Sequence, residues 1–133
     1  MTHNSLRLLD NTNDQINLTG DKVKAAGYYG ISNGLHTIAL YINDFTGRIV
    51  IEASLANSPE EDDWVPLEFN GNPYLQFPID PLNPTDDNGD SGTFFENIKG
   101  NFVWIRAKLD RTYLQPISGN PDLGNIRKIL VNF

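Results

Sequence analysis

His3 and His36 are the only imidazoles in this chain, and it contains no cysteine. Nucleophilic catalysis needs a nucleophile, a base and an orienting group that converge in one pocket. His3 lies in a polar terminal segment. His36 opens an apolar alternating stretch on the same side as Ile38 and Leu40, where a packed, hydrogen-bonded histidine is the expectation rather than a base. Two histidines without a thiol also make a poor zinc ligand set. Paired carboxylates would suit glycoside hydrolysis, but the acidic residues fall in loop-like segments, where solvation is the default. The run Asp86-Asp87-Asn88-Gly89-Asp90-Ser91-Gly92 has the composition of a calcium loop. It lacks the ordered spacing and closing glutamate of an EF-hand, so calcium and a solvated turn stay open as alternatives. There is no phosphate-cradling glycine motif. The expectation is therefore a chain that is not an enzyme, with no catalytic, cofactor or metal residues to assign.

The aromatic residues carry more information. In Phe102-Val103-Trp104-Ile105-Arg106-Ala107-Lys108-Leu109, one face holds Val103, Ile105, Ala107 and Leu109. That face is the expected core. The other face holds Phe102, Trp104, Arg106 and Lys108, a mixture of large rings and cations of the kind favoured at interfaces. Phe102, Trp104, Arg106, Lys108, Trp64, Tyr28 and Tyr29 are thus the candidate contacts for a protein partner or, by ring stacking, for a glycan. The alternative is that loops of the same chain cover the rings, with the arginine and lysine stems lying along them.

These side chains must be positioned by strands. Between Gly34 and Leu55, Ile38, Leu40 and Ile42 alternate before a polar Asn43–Gly47 turn, and Ile49, Ile51, Ala53 and Leu55 alternate after it. Period-two alternation on both sides of a short turn predicts an antiparallel hairpin with one buried face, and Gly47 suits a position at positive φ. Further strands are expected at Val23 to Tyr29, at Asp62 to Leu67 with Pro66 marking an edge, at Tyr74 to Phe77, Thr93 to Ile98, Phe102 to Leu109 and Ile126 to Phe133. Residues 70 to 92 and 110 to 122 read as long Pro/Gly loops. No segment predicts a substantial helix. The pattern gives an all-β antiparallel sandwich of six to eight strands, with residues 1–15 a flexible N-terminal arm and residues 16–133 a single domain.

A chain of 133 residues without cysteine buries enough surface to fold without staples. Its net charge of −7 argues against nucleic acid as a partner. The charge is segregated: Glu60 to Glu96 holds ten acidic residues and no Lys or Arg, whereas Lys99 to Phe133 holds six basic residues against Asp110 and Asp122. Either acidic loops fold over basic strands of the same molecule, or complementary patches meet between subunits. The first residues lack a basic patch followed by an apolar core, so no secretory signal is expected. No apolar run approaches a membrane span, so no membrane insertion is expected.

Several segments together resemble small virion structural proteins of tailed bacteriophages, in particular those of contractile-tailed phages that infect marine cyanobacteria. They are Tyr28-Tyr29-Gly30, Gly34-Leu35-His36-Thr37, Asp44-Phe45-Thr46-Gly47-Arg48-Ile49, Ile51-Glu52-Ala53-Ser54-Leu55, Trp64, Gly100-Asn101-Phe102-Val103-Trp104-Ile105-Arg106-Ala107 and Gly124-Asn125-Ile126-Arg127-Lys128-Ile129-Leu130. The resemblance covers about residues 27 to 133. It implies a jelly-roll-like sandwich, similar in outline to galactose-binding or discoidin-type domains. It also implies a repeated part of a particle, at the tail, baseplate, neck or capsid surface. The partners would be other virion proteins and copies of this chain, or a host surface glycan. The matched residues are scaffold: Phe45 and Gly47 for the turn, and Val103, Ile105 and Ala107 for the core. No catalytic residue carries over.

Overall fold

The two alternating stretches of residues 34–55 do form strands, each with one buried face, but they do not pair with each other. In the computed structural model, which describes residues 5–12, 15–31, 34–77, 89–114 and 123–133, they belong to two different sheets. Among the described residues ten strands run in chain order: β1 Ser5–Asp10, β2 Asn17–Thr19, β3 Val23–Lys24, β4 Leu35–Phe45, β5 Gly47–Ser54, β6 Val65–Pro66, β7 Leu75–Phe77, β8 Asp90–Lys99, β9 Trp104–Asp110 and β10 Asn125–Asn132. The first sheet has the order β1-β10-β4-β8. The second has the order β2-β9-β5-β6, with β3 also paired to β9 and β7 also paired to β5. All pairings are antiparallel. The molecule is an all-β sandwich, as expected, with more strands than the six to eight anticipated. No helix among the described residues is long and apolar enough to cross a membrane.

The expected hairpin is instead a corner between the sheets. Asp44 sits at φ 49° and Gly47 at φ 153°, so the chain turns out of the first sheet and into the second across Phe45-Thr46. A side chain at Gly47 would press on the Phe45 ring and the Arg111 stem, both 2.9 Å from where its Cβ would lie. Phe45 is wholly buried beneath the corner. The Arg111 guanidinium lies over the Phe45 ring at 4.9 Å. Arg111 donates to the carbonyls of Gln15 at 3.2 Å, Leu123 at 3.2 Å and Gly124 at 2.7 Å. One buried side chain thereby ties two separate segments, at Gln15 and at Leu123-Gly124, to the corner.

Two other expectations are corrected. Residues 1–15 read as a flexible arm, yet Ser5–Asp10 within them form β1 against β10, and Leu8 and Leu9 enter the core. Their polar surroundings hid two apolar positions, and a register shift between Arg7 and Leu9 breaks the simple alternation. The expected strand from Val23 to Tyr29 stops after Lys24, because Ala26 to Gly30 turn back on themselves. Tyr28, Tyr29 and Gly30 each donate an amide three residues back, to Ala25, Ala26 and Gly27. The run from Asp86 to Asn88 and the loop from Gln115 to Asp122 lie outside the described residues.

The core between the sheets is built by alternate residues: Ile38, Leu40 and Ile42 of β4, Ile49, Ile51 and Ala53 of β5, Ile105, Ala107 and Leu109 of β9, and Ile126, Ile129 and Val131 of β10. Full burial stabilises each large aliphatic side chain by roughly 1.5–3 kcal/mol. Their alternates project from the sheets' outer surfaces, and the candidate contact residues lie mostly among these.

Candidate interaction surface

The outer face of the second sheet is set by the register of β5 on β9. Ser54 lies opposite Trp104, Glu52 opposite Arg106, Val50 opposite Lys108 and Arg48 opposite Asp110. Three clusters of rings and cations follow one another across this face. At one end Lys22 lies over the Trp104 ring at 4.8 Å, Trp104 meets Tyr28 edge-on at 5.4 Å, and Lys24 lies over Tyr28 at 4.5 Å. The Trp104 indole donates to the Asn57 carbonyl at 2.9 Å, which fixes the ring against the loop that follows β5.

In the middle, Arg106 lies over the Trp64 ring at 4.3 Å and donates to Glu52 at 2.7 Å. Its two terminal nitrogens reach the Glu61 carboxylate at 3.3 and 3.2 Å. Glu61 begins a single 3-10 turn, Glu61–Asp63, and its carboxylate is the one the turn brings to Arg106. Burial alone would lower the pKa of Arg106. Hydrogen bonds to Glu61 and Glu52 outweigh it and raise the value, so the guanidinium is a permanent cation. The same hydrogen bond, with the charge behind it, holds the Glu61 carboxyl below its ordinary range. At the far end Arg48 is held between Tyr74 at 4.2 Å and Tyr113 at 4.1 Å, and donates to Gln76 at 2.9 Å.

The structure therefore brings Trp104, Arg106, Lys108, Trp64 and Tyr28 to one face. It does not place Phe102 there. Residues 101–103 precede β9, so the period-two pattern does not extend through them, and Phe102 packs towards the core beside His36 at 5.5 Å. Val103, expected in the core, is for the same reason only half-buried. Tyr29 departs as well: it touches Tyr28, but its ring stacks on Phe133 at 5.8 Å.

His36 is wholly buried. Its Nδ1 donates to the Gly34 carbonyl at 3.0 Å and its Nε2 accepts from the Ala26 amide at 3.2 Å, which assigns the neutral tautomer. Phe102 and Phe133 flank it. Burial of the ring lowers its pKa, opposed in part by the Gly34 bond. Both nitrogens are engaged, so this ring is a structural bracket between the Ala26 turn and the start of β4. Among the described residues, no group of three or more His, Asp or Glu side chains gathers in a way that would hold a metal ion.

Sequence reasoning missed one further feature. Ala53, Ser54, Leu55, Ala56, Asp63, Val65, Leu67 and Phe102 line an open groove of about 400 Å³ at the β6 edge. Leu55 is 72 % exposed and Val65 61 % exposed on its rim. No family model, no curated protein and no solved structure matches this chain.

Proposed function

We propose that this protein is a non-enzymatic structural component of a tailed-phage particle, at the tail, baseplate, neck or capsid surface, which assembles through protein–protein contacts. The observation that supports this reading best is the apolar groove at the β6 edge, with Leu55 and Val65 standing largely in solvent. Exposed apolar side chains gathered around a concavity mark a surface that a partner covers. The resemblance of residues 27 to 133 to small virion proteins supplies the kind of partner. The jelly-roll outline and the virion location belong to the same reading. The ring-and-cation face fits a scaffold role, since Arg106 and Lys22 already occupy ring faces of Trp64 and Trp104. Mass spectrometry of purified particles tests the reading. The protein is expected among the virion components in stoichiometric amount, and its absence would refute the proposal.

A second reading, a glycan-binding module for host attachment, draws on Tyr28, which stands 46 % exposed beside Trp104. A glycan array decides it. Binding that survives Trp104→Ala unchanged, or no binding above background, counts against this alternative.

A further inference from the structure

The two sheets have four lateral edges among the described residues, and three of them are blunted. In the second sheet one edge is made of β2 and β3, three and two residues long, and the other of β6 and β7, two and three residues long, with Pro66 in β6. In the first sheet, β1 is six residues long, is broken by a register shift, and has Gly20 lying directly against its Leu8 carbonyl. Short strands, proline and irregular register are the devices by which sheets avoid pairing with other chains.

The fourth edge has none of these devices along most of its length. β8 runs for ten residues, Asp90–Lys99, and pairs on one side with β4. Among the described residues no strand pairs with its other side. The strand contains no proline, and between Ser91 and Ile98 its one charged residue is Glu96. Phe95, on its outer face opposite Ala39, is 67 % exposed, second among the large apolar side chains of the described residues only to Leu55.

We infer that β8 pairs antiparallel with β8 of a second copy of this chain, which joins the two first sheets edge to edge about a two-fold axis through Phe95. A two-fold perpendicular to the sheet keeps outer faces together, so it must pass through a residue rather than between two. Centring on Phe95 sets Phe95 against Phe95, Phe94 against Glu96, Thr93 against Asn97, Gly92 against Ile98 and Ser91 against Lys99. Every charged residue in that stretch then faces an uncharged one, and the most exposed ring of the edge packs on its own copy. Centring on Glu96 would oppose two carboxylates. Centring on Phe94 would leave Phe95 against Thr93 and set Asp90 against Ile98. Of these three registers, only the one centred on Phe95 keeps charges apart and packs the exposed ring on its own copy.

This pairing stands apart from the particle reading. A dimer in solution from a protein absent from virions would leave it intact, and a monomeric virion component would overturn it alone. Each copy carries a net charge of −7, so copies repel, and a backbone-and-aromatic interface strengthens as salt screens that repulsion. Association of acidic loops with basic strands between copies would instead weaken with salt.

Sedimentation of the full chain over a concentration series, in low and in high salt, tests the inference. A concentration-dependent dimer that gains population with salt is expected, and Phe95→Lys should render it monomeric. The chain is cysteine-free, so single thiols report the register directly. Phe95→Cys should cross-link with itself on mild oxidation. Thr93→Cys and Asn97→Cys should cross-link when mixed and far less when alone. This pattern decides the matter even if Phe95→Lys does not fold. A monomer under all conditions, a dimer untouched by Phe95→Lys, or equal cross-linking of Thr93→Cys with itself and with Asn97→Cys would each overturn the inference.

Discussion

Acidification should weaken this fold through a single ring. His36 is neutral when folded, with Nε2 accepting the Ala26 amide proton and two phenyl rings beside it. A proton on Nε2 would turn that acceptor into a donor facing a donor. It would also place a charge where no solvent reaches. The folded pKa is accordingly lowered below 6.5. The unfolded chain binds the proton first, so stability is complete above about pH 6.5 and is lost as pH falls below it, until the folded pKa is reached. Since the folded pKa is lowered, passing from about pH 7.5 to about pH 5.5 costs at most about 1.4 kcal/mol through this ring. In a domain of this size that ceiling corresponds to a fall in melting temperature of about 4–5 °C. The carboxylates titrate too, so the measurement is a difference: urea or thermal unfolding of the native chain and of His36→Gln across the same pH series. The glutamine retains a donor and an acceptor without a titrating ring. The variant should be less stable near neutral pH, and its curve should be flatter between about pH 6.5 and about pH 5.5 by up to about 1.4 kcal/mol per pH unit. Parallel curves would refute the argument that this ring is buried and neutral.

The Arg106–Glu52 pair, with side chains only 9 % and 11 % exposed, makes a different prediction. Arg106→Met leaves a buried carboxylate without its partner and should cost roughly 3 kcal/mol in urea unfolding, whereas adding Glu52→Gln should recover part of that loss. Gly124 and Gly71 both sit at positive φ, at 70° and 84°. A Cβ at Gly124 would collide with the Asp44 carbonyl, while one at Gly71 meets open space. Gly71→Ala should therefore cost about 1 kcal/mol of backbone strain, and Gly124→Ala clearly more, as read by thermal unfolding of the two variants side by side.

The residues explain why some of this architecture was legible in the sequence and some was not. Alternation reports which face of a strand is buried, and for Ile38-Leu40-Ile42 and Ile49-Ile51-Ala53 it did so correctly. It does not report which strand lies alongside. A corner and a hairpin both need a short turn and a residue at positive φ, so Asn43–Gly47 reads the same for either. β1 was obscured because its buried core positions, Leu8 and Leu9, are adjacent rather than alternate. The ring-and-cation character of Trp104, Arg106 and Lys108 was visible from one strand. Neutralisation of Arg106 by Glu52 and Glu61 was not, since it depends on the β5–β9 register and on a 3-10 turn some 45 residues away in sequence. The groove at Leu55 and Val65 arises from three segments and has no signature in any one of them.

The way the chain crosses between sheets bears on how it must fold. From β1 to β2, β3 to β4, β4 to β5, β7 to β8, β8 to β9 and β9 to β10, each step leaves one sheet for the other. Few strands can pair with a neighbour in sequence, so few local contacts reward an early commitment of the backbone, and such topologies fold slowly. The order within the first sheet sharpens this. β10, the last of the described strands in chain order, lies between β1 and β4, so β1 has no sheet partner until β10 is in place. While the chain is being synthesised, Leu8 and Leu9 must wait uncovered, and the long edge of β4 that will receive β10 stands open. Assembly of this molecule is then a single late, cooperative closure, and the nascent chain is exposed to wrong strand pairing until it occurs.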